Sequence, residues 1–283
     1  MSTHGLGATL AAGGVLAGAA CLAMTVGAAA QQKSSPPDFS SNLVGWVTGN
    51  GEFIAVPGEP SPVRNDPAHP RISNAEAART GKQPSYRIGD ISNPNLKPWV
   101  VERMKKDNAE VLAGKIGFTA RSHCMPAGVP GFMAYPLAAF FFVQTSKRVL
   151  MIFSGDQQVR RIFLDIPHSA NPRPSWYGES VGHYEGDALV IDTIGLSTRT
   201  FVDLYRTPHT EMLHVVERWQ MVDDRKGLEI VFTVDDPGTY DEPWSGRRHY
   251  RRVDQAYGEQ VCAENNNMPF FNYHIPVADK PDF

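Results

Sequence analysis

Glu179-Ser180-Val181-Gly182-His183-Tyr184-Glu185-Gly186-Asp187-Ala188-Leu189-Val190-Ile191-Asp192-Thr193-Ile194 decides the fold. Side chains alternate along both halves, and Glu185-Gly186-Asp187 between them is a turn signal, so the stretch predicts a hairpin with strands at 180–185 and 188–194. Working outward, the same period of two recurs at 138–145, 148–154, 158–165, 212–222, 228–235 and 247–253. Ser154-Gly155-Asp156, Asp223 to Gly227 and Asp235-Asp236-Pro237-Gly238 punctuate these runs. Short connections join antiparallel neighbours, and closing a meander removes its unpaired edges. The expected fold is therefore mainly β: an antiparallel meander closing into a lipocalin-like up-and-down barrel of about eight strands. A two-sheet β-sandwich is the alternative.

Upstream of the meander the chain changes character. Pro, Gly, Ser and Asn crowd residues 31–98, as in Ser34-Ser35-Pro36-Pro37 and Pro57-Gly58-Glu59-Pro60-Ser61-Pro62. Long regular elements are excluded there, and the stretch reads as an extended arm wrapping the domain of residues 99–283. Short extended pieces are expected around Val44–Val47 and Phe53–Val56, with a short helix at 74–79. A second helix opens at Asn95-Leu96-Lys97-Pro98, because Pro suits a first turn and Val100, Met104, Val111 and Leu112 follow at helical spacing. It is expected to end near Gly114.

Residues 1–30 hold no Lys, Arg, Asp or Glu and close on Ala28-Ala29-Ala30, the pattern of a cleaved signal peptide for export to the periplasm or outside. The segment Met1 to Gly5 departs from that pattern in lacking a basic residue. Cleavage removes Cys21 and leaves Cys124 and Cys262, which in an oxidising compartment read more simply as a disulfide than as thiols. So long a loop, once closed, stabilises by about 4 to 5 kcal/mol on the chain-entropy account. A net charge of −3 with interspersed signs argues against nucleic acid as a partner, and no later apolar run reaches membrane-spanning length.

Candidate chemistry sits on the strands. Val159, Arg161, Phe163 and Asp165 alternate on one; Val181, His183 and Glu185 on another; Val190, Asp192 and Ile194 on a third; Val215, Glu217, Trp219 and Met221 on a fourth. If these faces point inward they enclose charge that must be paired, a setting in which pKa values move. If they point outward, or close into ion pairs, the same residues are structural. His183, Glu185 and Asp187 lie close along the hairpin, where a carboxylate can orient an imidazole general base and Arg161 can stabilise an anion. Trp176, Tyr184, Trp219, Trp244 and His209 join Glu217 as candidate ligand contacts; Trp176 and Trp244 lie at strand ends, where a tryptophan either rims a pocket or plugs the core.

Other chemistries fare worse. A metal at His183 and Glu185 needs further ligands, and His209, Glu211 and His214 are the nearest in type, but the H-E-x-x-H helix pattern is absent. Gly178-Glu179-Ser180-Val181-Gly182 fits G-x-S-x-G without the following helix that a nucleophile elbow requires. No phosphate-binding glycine loop is present. No cofactor is expected.

Asn93-Pro94-Asn95-Leu96-Lys97-Pro98-Trp99, Pro174-Ser175-Trp176-Tyr177-Gly178 running on to Asp187, Thr207-Pro208-His209-Thr210-Glu211 and Cys262-Ala263-Glu264-Asn265-Asn266 resemble strings found in a group of uncharacterised exported bacterial proteins. The resemblance covers most of residues 85–283 and implies export and a single domain, with no activity attached. The leading expectation is a periplasmic barrel binding a small, partly apolar molecule, oriented by Arg161, His183 and Glu185. A cofactor-free lyase, isomerase or hydrolase built on His183 is the rival, and a structural partner in an envelope complex, docking through the arm, is the third.

Overall fold

The hairpin of residues 179–194 forms as expected, and the barrel extends from it on both sides. A computed structural model describes residues 36–40, 45–49, 51–82, 87–115, 117–120, 123–135, 139–154 and 158–253. The expected leader at 1–30, Cys262 and the string 262–266 lie outside the described residues. Ten strands are present: β1 (Gly45–Val47), β2 (Ile54–Ala55), β3 (Phe140–Gln144), β4 (Arg148–Phe153), β5 (Gln158–Leu164), β6 (Glu179–Glu185), β7 (Ala188–Ile194), β8 (His214–Val222), β9 (Gly227–Asp235) and β10 (Trp244–Val253). β1 pairs with β3 at one side and β10 at the other, so β1 and β3 to β10 form a closed nine-stranded barrel, with β2 an extra strand on β10. The two extended pieces of the arm are β1, which closes the barrel, and β2, which adds to β10. Phe39, Trp46, Phe53 and Val63 of the arm share one core with the barrel.

One pairing departs from a pure up-and-down order. β5 and β6 run parallel, with Ile162 opposite Ser180 and Leu164 opposite Gly182. Parallel neighbours require a long crossover, and residues 165–178 provide it over the outside of the barrel. Its Pro167, Pro172 and Pro174 cannot donate to a ladder, which keeps the segment irregular.

Alternation sets the interior. β4 buries Val149, Met151 and Phe153; β8 buries Val215, Glu217 and Trp219; β9 buries Leu228, Ile230, Phe232 and Val234. On β5, β6 and β7 the inward set is the opposite of the charged faces considered above. Arg160, Ile162 and Leu164 point inward from β5, Ser180 and Gly182 from β6, and Leu189, Ile191 and Thr193 from β7. The reason is visible in the sequence: β5 and β7 carry apolar residues on both faces, so alternation alone does not choose, and a slip of one residue exchanges the faces. The inward position of Gly182 leaves no room for a side chain: a Cβ there would lie 2.8 Å from the Val190 carbonyl oxygen and 3.0 Å from Ile162 Cγ2. Gly182→Ala is expected to cost about 1–3 kcal/mol through this overpacking, read as a lower urea midpoint.

The interior is filled. Trp219, Tyr250, Phe140, Phe142 and Phe153 interlock, with ring centroids 5.1–6.4 Å apart for the contacting pairs. A short 3-10 turn, Gly131–Ala134, inserts among them, and its Phe132 ring packs on Phe140, Phe153 and Tyr177. The Tyr250 hydroxyl donates to the Met133 carbonyl at 2.7 Å and fixes this plug.

Outside the barrel, α1 (Asn74–Thr80) is capped by Ser73, whose hydroxyl accepts from the Glu76 N–H, and ends on Gly81 in the left-handed region at φ 68°. α2 (Pro98–Leu112) buries Val100, Met104 and Asn108 and leaves Leu112 exposed. Among the described residues no helix is long and apolar enough to cross a membrane.

Candidate functional site

Four polar groups bear on the expected sites, one inside the barrel and three outside it. Inside, the Arg160 guanidinium meets Glu217 in a bidentate pair, with Nη1 3.1 Å from Oε1 and Nη2 2.5 Å from Oε2. Nε donates to Ser180 Oγ at 3.1 Å, Nη2 also to Thr193 Oγ1 at 2.7 Å, and Nη1 reaches Met151 Sδ at 3.9 Å. All five guanidinium N–H groups therefore have an acceptor, the condition for a cation to persist in an apolar interior. The Phe132 ring centre lies 5.4 Å from the Arg160 carbon. With both residues almost wholly buried, this pair is architecture rather than a binding surface.

The first outside group is a groove of about 540 Å³ between the outer face of β5 and the crossover. Val159, Arg161 and Phe163 form its floor; Arg173, Trp176 and Tyr177 stand on the crossover side. Among the described residues, neither Arg161 nor Arg173 has a side-chain hydrogen bond or an ion pair. Two further guanidinium groups stack on the groove's aromatics, Arg148 at 5.5 Å from the Phe163 centre and Arg199 at 5.1 Å from that of Trp176. Arg199 also lines an adjoining pocket of about 490 Å³ with Pro174, Leu196, Ser197, Thr198 and Glu211. Glu179, the carboxylate that lines the main groove, is occupied: it accepts from the Ser169 N–H and hydroxyl, both at 2.7 Å, and from His168. Those Ser169 bonds first, and His168 second, hold its carboxyl below the usual range. Arg161 and Arg173, without ion-pair partners among the described residues, thus stand over apolar and aromatic walls, the arrangement that receives an anion with an apolar body.

No family model matches the chain, and neither a curated protein nor a solved structure does. Function has to be argued from the residues.

The second outside group holds the expected catalytic residues. His183 Nε2 lies 3.0 Å from Glu185 Oε1, as their shared strand face implies, but that face is outward and Arg218 Nη1 takes Glu185 Oε2 at 2.6 Å. Asp187 accepts from Gln220 at 3.2 Å beyond the same turn. These are surface links across β6, β7 and β8. Arg161 does not join them: the β5–β6 register puts it beside Glu179, four residues from His183, or roughly 13 Å along the strand.

The remaining expected contacts divide between core and rim. Trp219 and Trp244 are fully buried, so Trp244 plugs the core end rather than rimming a pocket. Trp176 does line the groove. Tyr184 is half-buried, its hydroxyl accepting from Gln144 Nε2 at 2.9 Å. His209 is a core histidine between Thr200 Oγ1 and the Thr210 carbonyl, 2.8 Å from each, and burial pushes its pKa down. Among the described residues no three His, Cys, Asp or Glu side chains are placed to hold a metal ion. The third outside group, unremarked in the sequence, is a chain of carboxylates and imidazoles: Glu179, His168, Asp192 and His214.

Proposed function

We propose that this protein is an exported β-barrel binding protein whose ligand is a small, partly apolar anion held in the groove outside β5. The observation that carries the reading is the pair of guanidinium groups, Arg161 and Arg173, that have no hydrogen-bond or ion-pair partner among the described residues and are set over Val159 and Phe163 and beside Trp176. A carboxylate or sulfonate meeting Arg161 gains charge-assisted hydrogen bonds, while an aromatic or short aliphatic body covers the apolar walls. This keeps Arg161 and Trp176 as ligand contacts and moves the ligand from the barrel interior to its outer wall.

Titration with cinnamate or octanoate, followed by tryptophan fluorescence and calorimetry, tests the proposal. Saturable binding that weakens with salt is expected, with Arg161→Ala losing about tenfold or more, since hydrogen bonds to charged groups contribute about 1.5–3 kcal/mol. Equal affinity for cinnamide, or no loss in Arg161→Ala, would sink it. An acid–base role for His183 gains nothing from this geometry, because the imidazole meets Glu185, itself held by Arg218, away from the groove. The envelope-partner reading gains from the filled interior but loses part of its docking segment, because the arm contributes β1 to the barrel and β2 to the side of β10.

Export with cleavage after Ala30, and a disulfide from Cys124 to Cys262, belong to the same proposal. Intact mass of protein recovered from cells is expected to match a chain starting at Gln31 and two hydrogens lighter than its reduced form.

A further inference from the structure

We propose that Glu179, His168, Asp192 and His214 form a proton-dependent latch that holds the crossover of residues 165–178 on the barrel and thereby regulates the anion groove. The regulatory half rests on the groove being the binding site; the latch itself rests on geometry alone. His168 belongs to the crossover. Its Nδ1 lies 3.0 Å from Oε1 of Glu179 on β6, and its Nε2 lies 2.9 Å from Oδ1 of Asp192 on β7. His214, the first residue of β8, brings its Nε2 to the same Asp192 oxygen at 2.9 Å. One side chain of the crossover is thus tied to two strands directly and to a third through Asp192.

Little else holds that stretch. Asp165 N–H bonds to the Gly182 carbonyl at its start, and Ser175 bridges Gly195 and Ser197 near its end. Between them, the hydrogen bonds of residues 166–174 among the described residues are those of His168 and Ser169, and both reach Glu179. Ser169, Asn171 and Arg173 of this span line the groove. Losing His168 leaves the two Ser169 bonds to Glu179 as the remaining hydrogen bonds of residues 166–174 among the described residues, and so loosens the wall that carries Arg173.

The link depends on protons for a simple reason. An ionised carboxylate only accepts, so His168 keeps both bonds only while both ring nitrogens carry hydrogen. When the ring loses one proton, a lone pair faces a carboxylate and one of the two links is lost. The groups facing the two imidazoles are Glu179 from β6, Asp192 from β7 and, for His214, also Asp235 from β9. At His214, the Asp192 and Asp235 carboxylates favour the protonated ring. The Asp192 hydrogen bond raises the His214 pKa above its ordinary value, and the His214 bond holds the Asp192 carboxyl below its own. The sign follows: the raised imidazole stabilises the latch at low pH and loses that contribution as pH rises through its folded value, whereas the lowered carboxylates fail only in strong acid. The latch is closed in mildly acidic solution and opens on the alkaline side of the histidine range.

Hydrogen exchange of the full chain at pH 6 and pH 8.5, expressed as protection relative to intrinsic rates, tests the latch directly, with cinnamate affinity measured in the same samples. Protection of the exchangeable amides of residues 166–174 is expected to fall about five- to tenfold from pH 6 to pH 8.5, and cinnamate affinity with it. His168→Gln, which cannot change charge, is expected to show low and equal protection at both pH values, while His183→Gln keeps the wild-type response. Equal protection of the wild type at the two pH values overturns the latch, whether or not cinnamate binds. A pH-dependent opening without any cinnamate binding supports the latch and removes the groove reading instead. Both ring nitrogens of His168 should show attached hydrogen in long-range proton–nitrogen spectra at pH 6; a single protonated nitrogen there also overturns it.

Discussion

Glu217→Ala is expected to destabilise the protein by about 3–5 kcal/mol, a large part of the 5–15 kcal/mol that keeps an ordinary domain folded. The loss does not measure the worth of the ion pair. It arises because Arg160 is left charged among Phe132, Met151 and Ile162, with no solvent to replace the carboxylate. Ser180 and Thr193 still accept two of its five N–H groups, and the remaining three keep only a thioether. The double variant Arg160→Met with Glu217→Leu separates the two ideas, because removing both charges removes the desolvation cost as well. Ser180 and Thr193 remain satisfied in it through their mutual 3.0 Å hydrogen bond. The double variant is therefore expected to recover most of what the single one loses, in line with buried pairs that apolar residues replace at little cost. Urea denaturation of the three proteins gives the comparison. A loss under about 1 kcal/mol in Glu217→Ala would mean that water reaches Arg160, and the filled interior would have to be abandoned.

The positions of the strands were legible because turn chemistry punctuates them. Gly186 adopts φ 62° in the two-residue loop between β6 and β7, and Asp223, Asp224 and Arg225 bend the next connection. Facing was legible only where one face is plainly apolar, as on β9, where Leu228, Ile230, Phe232 and Val234 alternate with Glu229, Val231 and Thr233. On β5, Val159 and Phe163 compete with Ile162 and Leu164, and the choice is made by contacts distant in sequence, above all Arg160 with Glu217. The closing role of β1 was hidden for a different reason. Three residues carry no periodicity, and their place between β3 and β10 is set by pairing with residue 140 and with residues 251–253. The parallel crossover was equally silent, since Pro and Ser read as any loop.

The site divides along the same line. Trp176 and Arg161 were identifiable as residue types, a bulky aromatic at a strand end and a cation on a strand. Their meeting in one groove depends on the β5–β6 register and the path of residues 165–178, which local sequence does not encode. His183 and Glu185 show the converse: adjacency at i and i+2 correctly brings them together, and the outward facing of that pair removes them from the groove. His168 and His214 stand 46 positions apart in the chain, and only the three-strand span of β6, β7 and β8 places both on one Asp192 oxygen.

Phe132→Ala is expected to cost about 3–5 kcal/mol and to open a cavity where the plug now sits. Deleting this ring removes an edge contact to Phe140 at 5.2 Å between centroids, one to Tyr177 at 5.8 Å, and the face over which Arg160 lies. The barrel wall cannot collapse far into the space, because each strand is hydrogen-bonded on both sides in a closed ladder. A void bordered by Phe140, Phe153 and Tyr177 should take up xenon or benzene, whereas the unmodified protein should not. Tyr177 links this core position to the groove, so cinnamate affinity is expected to fall in the same variant although no groove residue has changed. Phe132 and Glu217 also share Arg160 as a neighbour. Their combined variant should depart from additivity by about 0.5 kcal/mol or more, because Arg160 loses its carboxylate and its ring face together. Strict additivity, with no xenon uptake by Phe132→Ala, would show that residues 131–134 pack beside the barrel rather than inside it. The interior would then be open to a ligand as well as the outer groove.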